Sequence, residues 1–100
     1  MITRMWHGIV PLDKADEYLQ LMRSVALPDY RGTPGNLGAW ALRRIDGDVA
    51  HFVMQTRWES VDAIRAFAGD DVERAKYYDF DERFLVELEP TVQHFETFED

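Results

Sequence analysis

The chain has 100 residues, enough for one domain with a single modest core and not for two. Its formal charge of −8, from 11 Lys+Arg against 19 Asp+Glu, repels phosphate backbones and excludes nucleic acid as a natural partner. No apolar run reaches the roughly 18–20 residues of a membrane span, and the absence of cysteine removes disulfides, thiolate nucleophiles, iron–sulfur clusters and Cys-type zinc sites.

The opening "MITRMWHGIV" carries one Arg, no long apolar stretch and no small-residue cleavage site, so a cytoplasmic protein without membrane association is expected. Ile2–Val10 alternates and is stopped by Pro11, which predicts a strand. From Asp13 to about Leu27 the apolar residues Ala15, Tyr18, Leu19, Met22, Val25 and Ala26 recur at helical spacing, with acids in the first turn. Pro28 is expected to end this helix. The following "PDYRGTPGNLG" repeats both Pro and Gly and reads as a loop, long enough to close over a pocket.

Leu37–Ile45 and Val49–Trp58 read as two strands joined by an Asp-Gly hairpin turn. Ser60 caps a helix through Val61, Ile64 and Phe67, which Gly69 ends. A second short helix is expected over Asp71–Tyr78, "DVERAKYY". "DERFLVELEP" fits either a strand or a helical connector, and Thr91–Phe98 reads as the last strand. The acidic runs "GDDVE", "DFDERF", "ELEP" and "ETFED" are solvated ends and loops. "DFDE" lacks the glycine and alternating oxygens of a calcium loop.

The order β-α-β-β-α-α-β is that of an α+β ferredoxin-like sandwich, four antiparallel strands with helices on one face, spanning residues 1–100 as a single domain. Alternation puts Phe52, Met54 and Trp58 on one face of the third strand and Val49, His51, Val53, Gln55 and Arg57 on the other. In the first strand Ile2, Trp6 and Val10 oppose Met5, His7 and Ile9. In the last, Val92, His94 and Phe98 oppose Thr91, Gln93 and Phe95. A second face that is half apolar predicts a homodimer in which another copy covers it.

Residues 58–78, "WESVDAIRAFAGDDVERAKYY", followed by "FLVELEPTVQHFE", resemble the antibiotic-biosynthesis monooxygenase-like proteins, as does "PDYRGTPGNLGAWALRR". The resemblance covers nearly the whole chain. It implies that two ferredoxin-like sheets join into a dimeric α/β barrel, with a pocket between each sheet and its helices. Family members of one kind oxidise activated phenols with O2 and neither metal nor flavin. Another kind degrades haem, with a tryptophan in the helix after "WES" and a ligand histidine ten residues later. Those positions are Phe67 and Tyr77 here, and the first-strand asparagine of that kind falls at or near His7. Haem degradation is thereby disfavoured.

A cofactor-free oxygenase needs a base with a pKa near the working pH, for which histidine is the default. Of His7, His51 and His94, the functional weight falls on His94 and then His7. Their separations carry no metal-ligand signature, so no metal is expected. Trp6, Trp40, Trp58 and Phe67 could wall a pocket for a small aromatic ligand. Arg43 could pair with an enolate or carboxylate, and Tyr30 and Asn36 lie in the loop that could close over it. Helical periodicity brings Tyr78 toward the core, whereas the resemblance favours Tyr77 as the pocket phenol. The expectation is a cofactor-independent monooxygenase acting on a phenolic or enolisable metabolite. The alternatives are a non-catalytic small-ligand-binding or stress-related dimer and, behind both, a haem protein.

Overall fold

A computed structural model describes all 100 residues and places four strands in one antiparallel sheet of order β2-β3-β1-β4. The strands are β1 (Ile2–Pro11), β2 (Asn36–Asp46), β3 (Val49–Trp58) and β4 (Gln93–Glu96). β1 and β3 run side by side over their full length, from Ile2 opposite Trp58 to Pro11 opposite Val49. β4 pairs only with the start of β1, from Ile2 opposite Glu96 to Met5 opposite Gln93. The ferredoxin-like arrangement expected from the element order is therefore present. No helix is long and apolar enough to cross a membrane.

Alternation sorts the strands as expected. Ala50, Phe52, Met54, Thr56 and Trp58 of β3 point into the core, as do Arg4, Trp6 and Val10 of β1. Helices cover this face alone. The hairpin between β2 and β3 turns at Gly47, whose φ of 62° is a left-handed conformation that glycine adopts without strain. α3 (Val61–Ala68) starts where the Ser60 Oγ accepts the Ala63 N–H at 3.2 Å, and ends at Gly69 with φ 94°. It buries Ile64 and Phe67.

The first helical run departs from expectation. A 3-10 turn (Leu12–Lys14) leads into α1 (Ala15–Leu21), which widens to a π-helical stretch (Met22–Ala26) and continues as α2 (Leu27–Arg31). Pro28 does not end the helix. The Leu27 N–H reaches back to the Met22 carbonyl, so the ladder is already wide where proline, lacking an N–H, enters at the start of α2. Ala15, Tyr18, Met22, Ala26 and Tyr30 form one buried stripe along the whole run. The long loop expected from Pro28 onward shrinks to the turn before Asn36, so it does not lie over a pocket.

The second short helix is absent. Val72 and Glu73 form a turn, closed by the Arg74 N–H on the Asp71 carbonyl at 3.1 Å. The chain leaves it without helix, with Arg74 bridged to Thr91, the Ala75 N–H on the Pro90 carbonyl at 3.0 Å and the Val92 N–H on the Glu73 carbonyl at 2.9 Å. A distant segment supplies these bonds, and they outweigh the helical preference of Glu, Arg, Ala and Lys. "DERFLVELEP" is neither strand nor regular helix beyond a 3-10 turn over Asp79–Arg83, and the last strand is confined to Gln93–Glu96. The Val86 N–H donates to the Ile9 carbonyl at 2.8 Å, closing the edge of β1 that β4 leaves free.

Candidate functional site

Extended backbone sends adjacent side chains to opposite sides, and this separates the two tyrosines. The Tyr77 O–H donates to the Glu89 carbonyl, and its ring meets Trp6 edge-on at 6.0 Å. Burial first, and then Glu89, pushes the Tyr77 phenol up to about 12, so it is a neutral donor at ordinary pH. The Tyr78 O–H donates to the Asp29 carboxylate at 2.7 Å, and its ring stacks on Phe80 at 5.6 Å.

Between sheet and helices the side chains nearly close. Trp6, Tyr18, Met22, Tyr30, Met54, Lys76, Tyr78 and Asp81 surround a void of only about 10 Å³, at the lower limit for one water molecule. The expected pocket wall of Trp6, Trp58, Phe67 and Tyr30 is thus packed core. Tyr30 lies 4.8 Å from Phe67, and Phe67 lies 5.7 Å from Trp58, ring centre to ring centre. Polar groups in this layer are tied to one another. The Asp81 carboxylate accepts the Tyr18 O–H and the Tyr78 N–H, both at 2.7 Å. Burial raises the pKa of Asp81 in spite of these two bonds. The Trp6 indole N–H has no protein partner.

Arg4 is buried in the same layer, 2% exposed, and makes no ion pair. Its guanidinium donates to the carbonyls of Val72 and of Arg74, the latter at 3.1 Å, and faces the His94 Nε2 at 3.0 Å. Arg4 has no acceptor, so the His94 Nε2 supplies the lone pair. Burial first, and then the Arg4 cation, hold the imidazole below its ordinary value of 6.5 against the pull of Glu73. His94 is therefore a neutral ligand of an arginine, a poor position for a free base.

That geometry has a consequence for stability. A histidine depressed in the fold contributes stability that is complete above 6.5 and is lost as pH falls from there through its folded value. Asp81, raised above 3.8, acts in the opposite sense, its cost appearing as it ionises with rising pH. We expect urea midpoints to fall on acidification below about 6.5, and His94→Gln to flatten that slope. An unchanged slope in the variant would place the acid sensitivity elsewhere.

The remaining expected site residues do not meet. Trp40 is 43% exposed on the open side of β2, with the Arg57 guanidinium over its ring at 5.2 Å. The Asn36 side chain patches the irregularity at the start of β2, its Oδ1 accepting the Gly38 N–H at 3.1 Å. Arg43 pairs with Asp16 of α1 at 2.8 Å.

The free space lies on the uncovered face of the sheet. A depression of about 560 Å³ is lined by the apolar Met5, Val53, Val92 and Phe95 and by the polar His7, Glu89, Thr91 and Gln93. That volume falls in the range of small-molecule sites, roughly 300–1,000 Å³. His7 Nδ1 lies 2.7 Å from the Glu89 carboxylate, and His7 Nε2 lies 3.0 Å from His51 Nδ1. His51 Nε2 in turn lies 3.4 Å from the Asp46 carboxylate. This constellation was only partly visible in the pattern of residues. Alternation puts His7 and His51 on one face of neighbouring strands, but Glu89 arrives from an irregular segment with no periodicity to read.

No protein-family model and no curated protein matches the chain. Among solved structures it is similar over its whole length to the haem-degrader MhuD from Mycobacterium tuberculosis, with two haems bound in its active site, at 23% identity and TM-score 0.65, covering 98% of that chain. It is also similar over its whole length to a point mutant of MhuD with two manganese protoporphyrin IX bound per active site, at 24% identity and TM-score 0.60, covering 97% of that chain. At such identities the likeness is one of fold, and the chain shares the ferredoxin-like α+β architecture of MhuD.

Proposed function

We propose that this protein is an oxygenase-type enzyme that oxidises a small phenolic or enolisable aromatic metabolite with O2, the substrate itself supplying the electrons. The observation that carries the reading is the Glu89–His7 pair at 2.7 Å on the wall of a depression of about 560 Å³ whose lining is half apolar and half polar. Imidazole is the usual protein base, and here the nitrogen beside the carboxylate is the one that takes the proton, since Nε2 faces His51. It takes the proton of an activated C–H or O–H, and the resulting anion is electron-rich enough to reduce O2. The substrate loses two hydrogens and gains one oxygen as a carbonyl, while the second oxygen atom leaves as water. Met5, Val53, Val92 and Phe95 supply the flat apolar wall.

A second copy of the chain covers this face in the same reading. Trp40, Leu42 and Phe95 are 43%, 44% and 48% exposed on it, and burying them would also shut water out of the depression. Light scattering should give twice the 11.7 kDa of the chain.

A haem, as held by MhuD, does not fit the residues between sheet and helices. The void there is about 10 Å³, and none of the side chains around it is a histidine. Tyr77 stands at the position expected from the resemblance, but its hydroxyl is already committed to the Glu89 carbonyl.

The reading is tested by oxygen uptake with a panel of anthrones and hydroquinones, alongside a haemin titration followed in the Soret region. Uptake with at least one substrate and no Soret change are the expected results. Tight haemin binding, or no uptake with any member of the panel, would overturn it in favour of a haem protein or a non-catalytic ligand-binding dimer.

A further inference from the structure

The contacts around His7 extend beyond a base and its carboxylate. Glu89, His7, His51 and Asp46 stand in a row, with successive separations of 2.7, 3.0 and 3.4 Å. The two imidazole rings are nearly parallel, 26° apart with centres at 5.3 Å. Side-chain exposure is 31% for Glu89 and 36% for His7, falls to 20% at His51 and is highest, 58%, for Asp46 at the hairpin edge. The other end opens on the depression.

We propose that these four side chains form a proton relay between the depression and solvent at the hairpin edge, taking away the proton released by the substrate and returning one when the second oxygen atom leaves as water. The proposal rests on the oxygenase reading for the source of the proton, and on the geometry alone for the path. Every ring nitrogen in the row faces another member of it. With the rings donating toward Asp46, His7 Nε2–H points at His51 Nδ1, and His51 Nε2 stands at ion-pair distance from the Asp46 carboxylate, 3.4 Å, without a formed hydrogen bond. His7 Nδ1 is then bare, and it faces the Glu89 carboxylate across 2.7 Å with no proton between them. Two lone pairs at that distance demand one.

A proton taken from substrate fills the gap. It settles on His7 Nδ1 as the Nε2 proton passes to His51 Nδ1, and the His51 Nε2 proton passes to Asp46 and on to water. One proton enters, one leaves, and both rings end protonated on the opposite nitrogen. Of the charged groups nearby, Arg44 of β2 lies 3.7 Å from the Asp46 carboxylate and holds that end. Arg43 is engaged with Asp16, and Glu89 is the one ionisable carboxylate on the depression. His51 and Asp46 act through His7 and are positioning residues, while Glu89 joins His7 at the substrate.

The test is nitrogen-15 NMR of the imidazole rings across pH in the intact chain and in Asp46→Asn, an exposed substitution that spares the core. The expected result is that His7 and His51 titrate together over one span, with all four ring nitrogens responding. Asp46→Asn should move the His7 signals although Asp46 touches only His51. Independent titration of the two rings, with His7 indifferent to Asp46→Asn, would overturn the relay whether or not the protein turns over any substrate. Should a substrate be found, Asp46→Asn and His51→Gln should each lower kcat about tenfold with KM unchanged, a fraction of what a direct acid–base group supplies. An unaltered kcat and pH profile in both variants would equally overturn it. Coupled titration in a protein that oxidises nothing would uphold the proton path while removing the oxygenase reading.

Discussion

Arg4→Met is expected to lower the unfolding free energy by about 3 kcal/mol, because it strips three part-buried acceptors of a shared, charged donor. Methionine fills much of the same volume, so the loss should come from polar groups rather than from a hole. The carbonyls of Val72 and Arg74 and the Nε2 of His94 would all lose the donor that joins them. For a chain of this length such a loss corresponds to a fall of roughly 12–24 °C in the unfolding midpoint. Thermal unfolding followed by circular dichroism measures it. Hydrogen exchange locates it: the amides of Ala75 and Val92, which join the 72–75 segment to 90–92, should exchange faster than those of β3. A loss under about 1 kcal/mol would mean that the guanidinium is tolerated here and ties nothing, as some buried ion pairs are replaceable by apolar residues without cost.

His7→Ala is expected to cost about 10²–10⁴-fold in kcat for whichever panel substrate is oxidised, the usual contribution of a positioned acid–base group. Glu89→Gln should cost a similar factor, and the double variant little more than either single one, because the two share one proton and act as a unit. KM should change far less, since the apolar wall stays in place. Structural damage is separable from chemical loss. His7 lies on the open face with 36% of its side chain exposed, so the unfolding midpoint of His7→Ala should stay close to that of the parent. By contrast, His94→Gln should leave kcat within a fewfold, because His94 faces Arg4 and not the depression. Equal and large losses from both histidine variants would sink the assignment of the base to His7.

What could be read from the residues was whatever depends on near neighbours. The strand alternation, the Ser60 cap, the Gly47 turn and the Gly69 stop are local signals, and each stands in the fold. What could not be read depends on distant parts of the chain. "VERAKYY" has a good helical composition, yet it is held out of a helix by Pro90, Thr91 and the buried Arg4. The helix through Pro28 was hidden because proline is normally a stop, and only the wide turn before it removes the conflict. The functional readings divide in the same way. Alternation placed His7 and His51 on the open face, while of the aromatic residues expected around a pocket Trp6, Tyr30, Trp58 and Phe67 turned out to fill it and Trp40 to lie outside it. Size and polarity of side chains are visible in sequence, but whether facing groups leave room between them is set by how the layers meet.

The wide helical turn at Met22–Ala26 is what one extra residue leaves when it is accommodated inside a helix without a break. Each residue of a regular helix turns the chain by roughly 100°, so removing one here would restore a uniform ladder and rotate everything after it. Asp29 would swing away from Tyr78 and Lys76, and Tyr30 away from Phe67. The fill of the interior is therefore tied to a single residue of helix length. A shortening by one position is the smallest change of chain that could empty the space between sheet and helices, moving the molecule's available volume from one side of its sheet to the other.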